Sequence, residues 1–134
     1  MKTLSDCDAR YQIADVPFEK KGCSVPAAWV LTGLYGIKDK DEPVPGVSFL
    51  PACYEHDDCY RTCKPEGMSD DNYKLKKCDD TFEKNLKNIC VKNNLDDEAL
   101  RWCKDLAELY YDGVSKAGRG VYRGAQIKNC SCCP

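Results

Sequence analysis

The sequence has 134 residues, of which 43% are hydrophobic and 31% charged, so it can form one modest core and does not have the composition of a disordered chain. Its 20 basic and 22 acidic side chains give a net charge of −2, which argues against a protein built to bind nucleic acid. Eleven cysteines indicate a disulfide scaffold, and we expect a single secreted domain over residues 1–134.

The first 50 residues are rich in proline and glycine and carry no sustained apolar period, so we expect irregular loops there. Met1–Asp8 lacks the apolar stretch of a signal peptide. Together with the cysteine density, this favours a mature extracellular form with an added starting methionine over a cytosolic protein.

The first predicted helix begins at Pro51, because the fixed φ of proline suits the first helical turn. It stops before Lys64-Pro65, because a proline disfavours helical geometry in the residue before it. Steps of three and four residues predict that one face of this helix carries Cys53, His56, Tyr60 and Cys63.

The second predicted helix is capped at Ser69. The cap is followed by Asp70 and Asp71, acids that suit the positive end of the helix dipole. Its apolar face consists of Leu75, Cys78, Phe82, Leu86 and Ile89. Asp79 lies four residues after Leu75, so helical geometry places its carboxylate on the buried face. A buried acid is costly unless it has a partner.

The third predicted helix is capped by Asp96, with Leu95 packing against Leu100, and ends at Gly118. Its apolar face consists of Ala99, Cys103, Leu106, Tyr110 and Val114. The predicted fold is therefore mostly α: two long antiparallel helices and a shorter one, held by disulfides to long irregular loops.

The C-terminal segment, residues 113–134, contains four basic residues and no acid. We interpret it as a solvated loop rather than a surface for an anionic partner. Cys130-Ser131-Cys132-Cys133 could bind zinc, but the many other cysteines favour disulfides. Asn129 begins an N-glycosylation pattern, which is a weak signal in a segment this dense in cysteine.

The only histidine, His56, is followed directly by an acid, Asp57. Neighbouring helical residues point about 100° apart, so His56 can face the second helix while Asp57 faces the loop that precedes the first. If Asp79 meets His56, it would orient the imidazole as a general base. Asp57 would be left as a hard oxygen ligand which, with backbone carbonyls around Gly22, suits calcium. The alternative, a core histidine satisfied by a carboxylate, is disfavoured because a second acid beside the pair is a poor way to build a small core.

These residues resemble a known family. The run Cys53-x-x-His56-Asp57-x-Cys59-Tyr60 is similar to the active-site helix of secreted phospholipase A2, and Cys78-Asp79 is similar to the segment that faces it. Phe82, three residues after the aspartate, and the pair Tyr110-Tyr111 resemble the version found in bacteria, fungi and some invertebrate venoms. The resemblance covers roughly residues 22–116.

The resemblance implies calcium-dependent hydrolysis of the sn-2 ester of glycerophospholipids at a membrane surface or micelle. His56 would deprotonate a water molecule, Asp79 would hold His56, and Tyr60 would brace Asp79. It also implies three disulfides, namely Cys23–Cys53, Cys59–Cys78 and Cys90–Cys103.

For the metal, the resemblance implies ligation by Asp57 and by loop carbonyls near Gly22 and Ser24. One position departs from the pattern: Lys21 stands where the bacterial type has an aspartate ligand, and an ammonium repels calcium instead of binding it. The acids that could replace the missing ligand are Glu19, Asp39 and Asp41.

Five cysteines remain outside the implied pairs: Cys7, Cys63, Cys130, Cys132 and Cys133. We expect Cys7 and Cys63 to pair with cysteines of the C-terminal cluster. The odd cysteine is then a free thiol or a bridge to a second chain, which would imply a covalent dimer.

The sequence is compatible with two function classes. The retained His56 and Asp79 favour an enzyme. Lys21 favours a binding protein on the same scaffold, such as a toxin subunit or receptor ligand with an impaired calcium site.

Overall fold

A computed structural model describes residues 7, 9–13, 22–23, 37, 39–65 and 70–132. Within them the chain forms, in order, β1 (Arg10–Gln12), α1 (Leu50–Arg61), α2 (Asp71–Lys92), α3 (Asp97–Asn129) and β2 (Cys130–Cys132). The prediction of a mostly helical chain with two long helices and a shorter one is confirmed. None of the helices in these ranges is both long and apolar enough to cross a membrane.

The first helix lies almost where the sequence predicts it. It begins one residue early, at Leu50, with Pro51 in its first turn, and ends at Arg61 with Thr62 in extended geometry. Its buried face includes Cys53, His56 and Tyr60, and Cys63 lies beyond its end.

The second helix is capped by Asp70, whose side chain accepts a hydrogen bond from the Tyr73 backbone N–H at 2.7 Å. The predicted cap at Ser69 is therefore wrong by one position, and Ser69 itself lies outside the described residues. The predicted buried face is confirmed for Cys78, Phe82 and Leu86, and Leu75 and Ile89 are partly buried.

The third helix is capped by Asp96, as predicted, through a 2.8 Å hydrogen bond from the Ala99 N–H. Leu95 and Leu100 both pack against the main core. The predicted end at Gly118 is wrong, because the helix continues to Asn129. Its buried face also continues, at four-residue and three-residue steps, through Gly118, Tyr122, Gln126 and Asn129.

The interpretation of residues 113–134 as a solvated loop is corrected in the same way, since helix and strand extend through residue 132. The polar residues on the buried face are held by hydrogen bonds: the Asn129 side-chain amide, for example, donates to the Ala125 carbonyl at 2.8 Å. Asn129 is buried, which disfavours its use as a glycosylation site. Cys133 lies outside the described residues.

The two strands pair antiparallel, with Arg10 opposite Cys132 and Gln12 opposite Cys130. The sequence prediction assigned β1 to a loop, because three residues are too few to show an alternating pattern. The strand pair holds residues 10–12 beside the C-terminal end of α3.

Five disulfides link the described residues: Cys7–Cys132, Cys23–Cys53, Cys59–Cys78, Cys63–Cys130 and Cys90–Cys103. Three are the pairs that the resemblance implied. The other two join Cys7 and Cys63 to the C-terminal cluster, as expected, and use Cys130 and Cys132 in disulfides rather than in a zinc site.

Two clusters of buried side chains meet at the first two helices. The larger contains Phe49, Phe82, Leu86, Leu106 and Tyr110, and the smaller contains Tyr60, Cys78 and Tyr122. The His56 ring lies between them, with its centroid 4.5 Å from that of Phe82 and 4.2 Å from that of Tyr60. The single histidine is thus set into the junction of the two clusters.

Candidate functional site

The central feature of the site is one buried carboxylate with two donors. Asp79 Oδ1 lies 2.8 Å from His56 Nε2 and accepts a hydrogen bond from the Tyr60 hydroxyl at 2.5 Å. The three residues are between 3% and 6% exposed, so solvent does little to screen these contacts. The structure thus places together the three residues for which the sequence predicted catalytic roles.

The local sequence explains why these side chains meet. His56 and Tyr60 are four residues apart on α1 and therefore lie on the same helix face. Asp79 directly follows Cys78, whose disulfide to Cys59 holds the Cα atoms of the two cysteines 5.8 Å apart. The disulfide therefore fixes α1 against α2 beside His56 and Asp79, which we call the dyad.

The electrostatics of the site fix the direction of its hydrogen bonds. Burial raises the pKa of Tyr60 far above its ordinary value, and the hydrogen bond to Asp79 and its charge raise it further. Tyr60 is therefore a donor at any physiological pH. A carboxylate can only accept, so the contact between Asp79 and His56 is a hydrogen bond in the tautomer that carries the proton on Nε2. Nδ1 makes no hydrogen bond to any described residue, which leaves it available to accept a proton.

Asp57 lies beside the dyad in a different environment. Burial raises the pKa of its carboxyl, and the opposing influence is the charge of the neighbouring His56. Within the described ranges Asp57 takes part in no hydrogen bond or ion pair. A half-buried carboxylate of this kind is costly unless a cation balances it.

A disulfide links the loop at Gly22 to the face of α1 on which Asp57 lies. Cys23 is bonded to Cys53, one helical turn before Asp57, with a Cα–Cα distance of 5.1 Å. Gly22 has a φ of +84°, a conformation that favours glycine. This tether brings the loop backbone to the side of the helix on which Asp57 lies.

Asp41 holds this loop in place. Its Oδ1 accepts a 2.7 Å hydrogen bond from the Cys23 N–H, and both carboxylate oxygens lie 3.0 Å from the position that a Cβ on Gly22 would occupy. Of the acids proposed to replace the missing ligand, Asp41 thus contacts the loop, whereas the carboxylate of Asp39 accepts from the Asp41 N–H. Glu19 lies outside the described residues.

The Asp57 carboxylate and the backbone carbonyls of the loop at Gly22 are donors that suit calcium, which takes carboxylate and carbonyl oxygens. The observation that supports a calcium ion here is the half-buried carboxylate of Asp57, which has no hydrogen bond or ion pair among the described residues. In the part of the chain that the structure describes, no three or more His, Cys, Asp or Glu side chains form a metal-binding group. Carbonyls near Gly22 would therefore have to supply much of the coordination. The positions of Lys21 and Ser24 lie outside the described residues.

The sequence prediction missed the residues behind Tyr60. Gly118, Tyr122 and Gln126 of α3 all contact it, yet Gly118 was interpreted only as a helix end. The four-residue spacing that starts at Val114 is the signal that could have identified them.

Comparisons with known proteins identify the family of this chain. The family model described as prokaryotic phospholipase A2 matches residues 2–118. A curated relative, the "Secretory phospholipase A2" of Arthroderma benhamiae, is 34% identical over 76 residues, which are 56% of this chain and 51% of that protein. The chain thus spans about half the length of this relative. No solved structure shows a significant match. Because the family model covers most of the chain, including the His56 and Asp79 segments, the chain belongs to the prokaryotic phospholipase A2 family.

Proposed function

We propose that this chain hydrolyses the sn-2 ester of glycerophospholipids, releasing a fatty acid and a lysophospholipid. The observation that carries the proposal is the buried Asp79 carboxylate held between His56 and Tyr60. A carboxylate on one nitrogen of an imidazole stabilises the cation that forms when the other nitrogen takes a proton. Membership of the family supports a phospholipid as the substrate.

In the proposed reaction, His56 Nδ1 removes a proton from a water molecule, whose oxygen attacks the ester carbonyl carbon. The tetrahedral intermediate collapses by breaking the bond to the glycerol oxygen, and the proton on Nδ1 passes to that oxygen. Asp79 holds the imidazolium between these two steps. No bond forms between the enzyme and the acyl group.

We propose that Asp57, with backbone carbonyls near Gly22 and Ser24, holds one calcium ion. The ion would supply positive charge for the substrate phosphate and for the oxygen that becomes negative during attack. The unbalanced Asp57 and the loop tether at Cys23–Cys53 support this assignment.

The proposed setting is extracellular, with one domain over residues 1–134 acting on phospholipid membrane surfaces or micelles. The five disulfides support an oxidising compartment, and the relative from Arthroderma benhamiae is named as secretory.

The experiment is hydrolysis of phospholipid vesicles with calcium, with EGTA, and with His56→Gln. We expect activity with calcium, none with EGTA, and a loss of about 10²- to 10⁴-fold in the variant. Glu55→Gln, an exposed neighbour on the same helix, is the matched control and should keep full activity. A wild-type protein that is inactive in every condition would rule out the enzyme and favour a binding protein on this scaffold.

A further inference from the structure

Helix α3 contacts Tyr60 at three positions that are each one turn apart. The backbone of Gly118 faces the Tyr60 hydroxyl, the Tyr122 ring packs edge-on at a centroid distance of 5.6 Å, and Gln126 Nε2 donates to the Tyr60 carbonyl at 2.8 Å. One stripe of α3 therefore holds the hydroxyl, the ring and the backbone of the residue that braces Asp79.

The contact at Gly118 depends on the absence of a side chain. A Cβ at this position would lie 2.5 Å from the Tyr60 hydroxyl oxygen and 3.6 Å from Asp79 Oδ2. By contrast, a Cβ at Gly120 or Gly124 would meet no described atom within 4 Å. Gly118 has no positive φ, so its backbone conformation does not require glycine. Glycine is required at this position because the space beside Tyr60 leaves no room for a side chain.

A network of hydrogen bonds keeps α3 from moving away to make room. Asp71 accepts from the Tyr122 hydroxyl at 2.9 Å and from both terminal nitrogens of Arg10 at 2.7 and 2.8 Å. Arg10 also donates to Gln126 Oε1 at 2.9 Å. The buried guanidinium thus ties this end of α3 to α2 and β1. Because α3 is held in this way, we expect a Cβ on Gly118 to displace the Tyr60 hydroxyl instead of the helix.

We propose that Gly118 is a positioning residue for catalysis: its missing side chain provides the space in which the Tyr60 hydroxyl reaches Asp79. Gly118 acts through Tyr60 and touches no reacting atom. The inference rests on the proposed function for its kinetic consequences, but the geometry it describes can be tested without activity.

The first test compares Gly118→Ala with Gly120→Ala, the same change on the open side of the same helix. We expect Gly118→Ala to lower kcat about tenfold, the effect of losing one hydrogen bond to a charged group, with little change in KM. Gly120→Ala should leave kcat unchanged.

The second test is the double variant with Tyr60→Phe, which removes the atom that the new methyl group would strike. Gly118→Ala should then cost less than about twofold relative to Tyr60→Phe alone, because the two changes act through one hydrogen bond. An equal loss of kcat in both backgrounds would overturn the proposal, as would a Gly118→Ala enzyme with wild-type kcat.

The third test separates this inference from the proposed function. His56 is the only histidine, so its ring nitrogens give unambiguous NMR signals. We expect Gly118→Ala and Tyr60→Phe to shift these signals in the same direction, and Gly120→Ala to leave them in place, even if the protein does not hydrolyse phospholipid. Unshifted His56 signals in a folded Gly118→Ala protein would overturn the positioning role, whereas an inactive wild type would overturn only the proposed function.

Discussion

The Tyr60 hydroxyl donates to Asp79 Oδ1, the same carboxylate oxygen that contacts His56 Nε2. Burial, and then the Asp79 hydrogen bond and charge, raise the pKa of Tyr60 so far that it remains a donor throughout the physiological range. Two donors on one buried oxygen hold the carboxylate in a single orientation. The imidazole is thereby held in one alignment, which the proposed general-base role requires.

The first prediction concerns Asp57 and calcium. Asp57→Asn should weaken calcium binding at least about tenfold, because it removes the carboxylate charge that a hard cation prefers. Isothermal titration calorimetry measures this directly. Asp58→Asn, which alters the exposed neighbour that pairs with Arg61 at 3.0 Å, is the matched control and should bind as the wild type does.

The same titration has a predicted pH dependence. Burial raises the pKa of Asp57, and only the ionised carboxylate binds calcium, so the affinity should increase as the pH rises through that raised pKa. A wild-type isotherm indistinguishable from buffer at neutral pH would contradict the calcium assignment.

The second prediction compares two disulfides that close loops of similar length. Cys59–Cys78 and Cys90–Cys103 have sequence separations of 19 and 13 residues. In the chain-entropy model, replacing either pair with alanines should lower the free energy of unfolding by about 3 kcal/mol. Only the first pair lies beside the dyad, so its loss should also lower kcat at a temperature where both variants are folded. Equal kcat values for the two variants would contradict this.

The third prediction concerns a buried lysine outside the proposed chemistry. Lys74 is 5% exposed and donates to the Cys59 carbonyl, and burial lowers its pKa to about 8. Between about pH 8 and 10.5 the unfolded chain binds this proton while the folded protein releases it, so folding is favoured as the pH rises. Below about pH 8 Lys74 is charged in both states, so burial of its charge lowers the free energy of unfolding by the full amount.

Urea unfolding of the wild type and of Lys74→Met measures this effect. The free energy of unfolding of the wild type should rise relative to that of the variant as the pH increases from about 8 to 10. Lys77→Met, a change at an exposed lysine one turn away, is the matched control for the loss of a lysine from this helix. A constant difference for Lys74→Met would show that this lysine keeps an ordinary pKa in the folded state.

The helices and the dyad could be predicted from the sequence because their signals are local and periodic. Pro51 and Pro65 bounded α1, apolar spacing predicted the buried face of α2, and Asp79 stood out as an acid on an apolar stripe. Helical geometry allowed Asp79 to meet His56, and the resemblance to secreted phospholipase A2 implied that it does. These signals require no knowledge of distant residues.

The missed features depend on partners far away in sequence. Gly118 resembles a helix end when considered alone, and its role is visible only once Tyr60 is known to lie against it. Gln126 is a polar residue on a buried face, tolerated because it bonds to Arg10 and to the Tyr60 carbonyl. Neither partner can be inferred from helical periodicity, so the helix was expected to end too early.

The role of Asp79 is tested by the initial rate of vesicle hydrolysis by Asp79→Asn, measured beside the wild type at matched folded fractions. An amide at position 79 can donate to Nε2, which moves the imidazole proton to Nδ1 and blocks the base. We predict a fall of about 10²- to 10⁴-fold in kcat with calcium affinity unchanged. An Asp79→Asn protein that hydrolyses phospholipid at the wild-type rate would contradict the proposed role of Asp79 in holding His56.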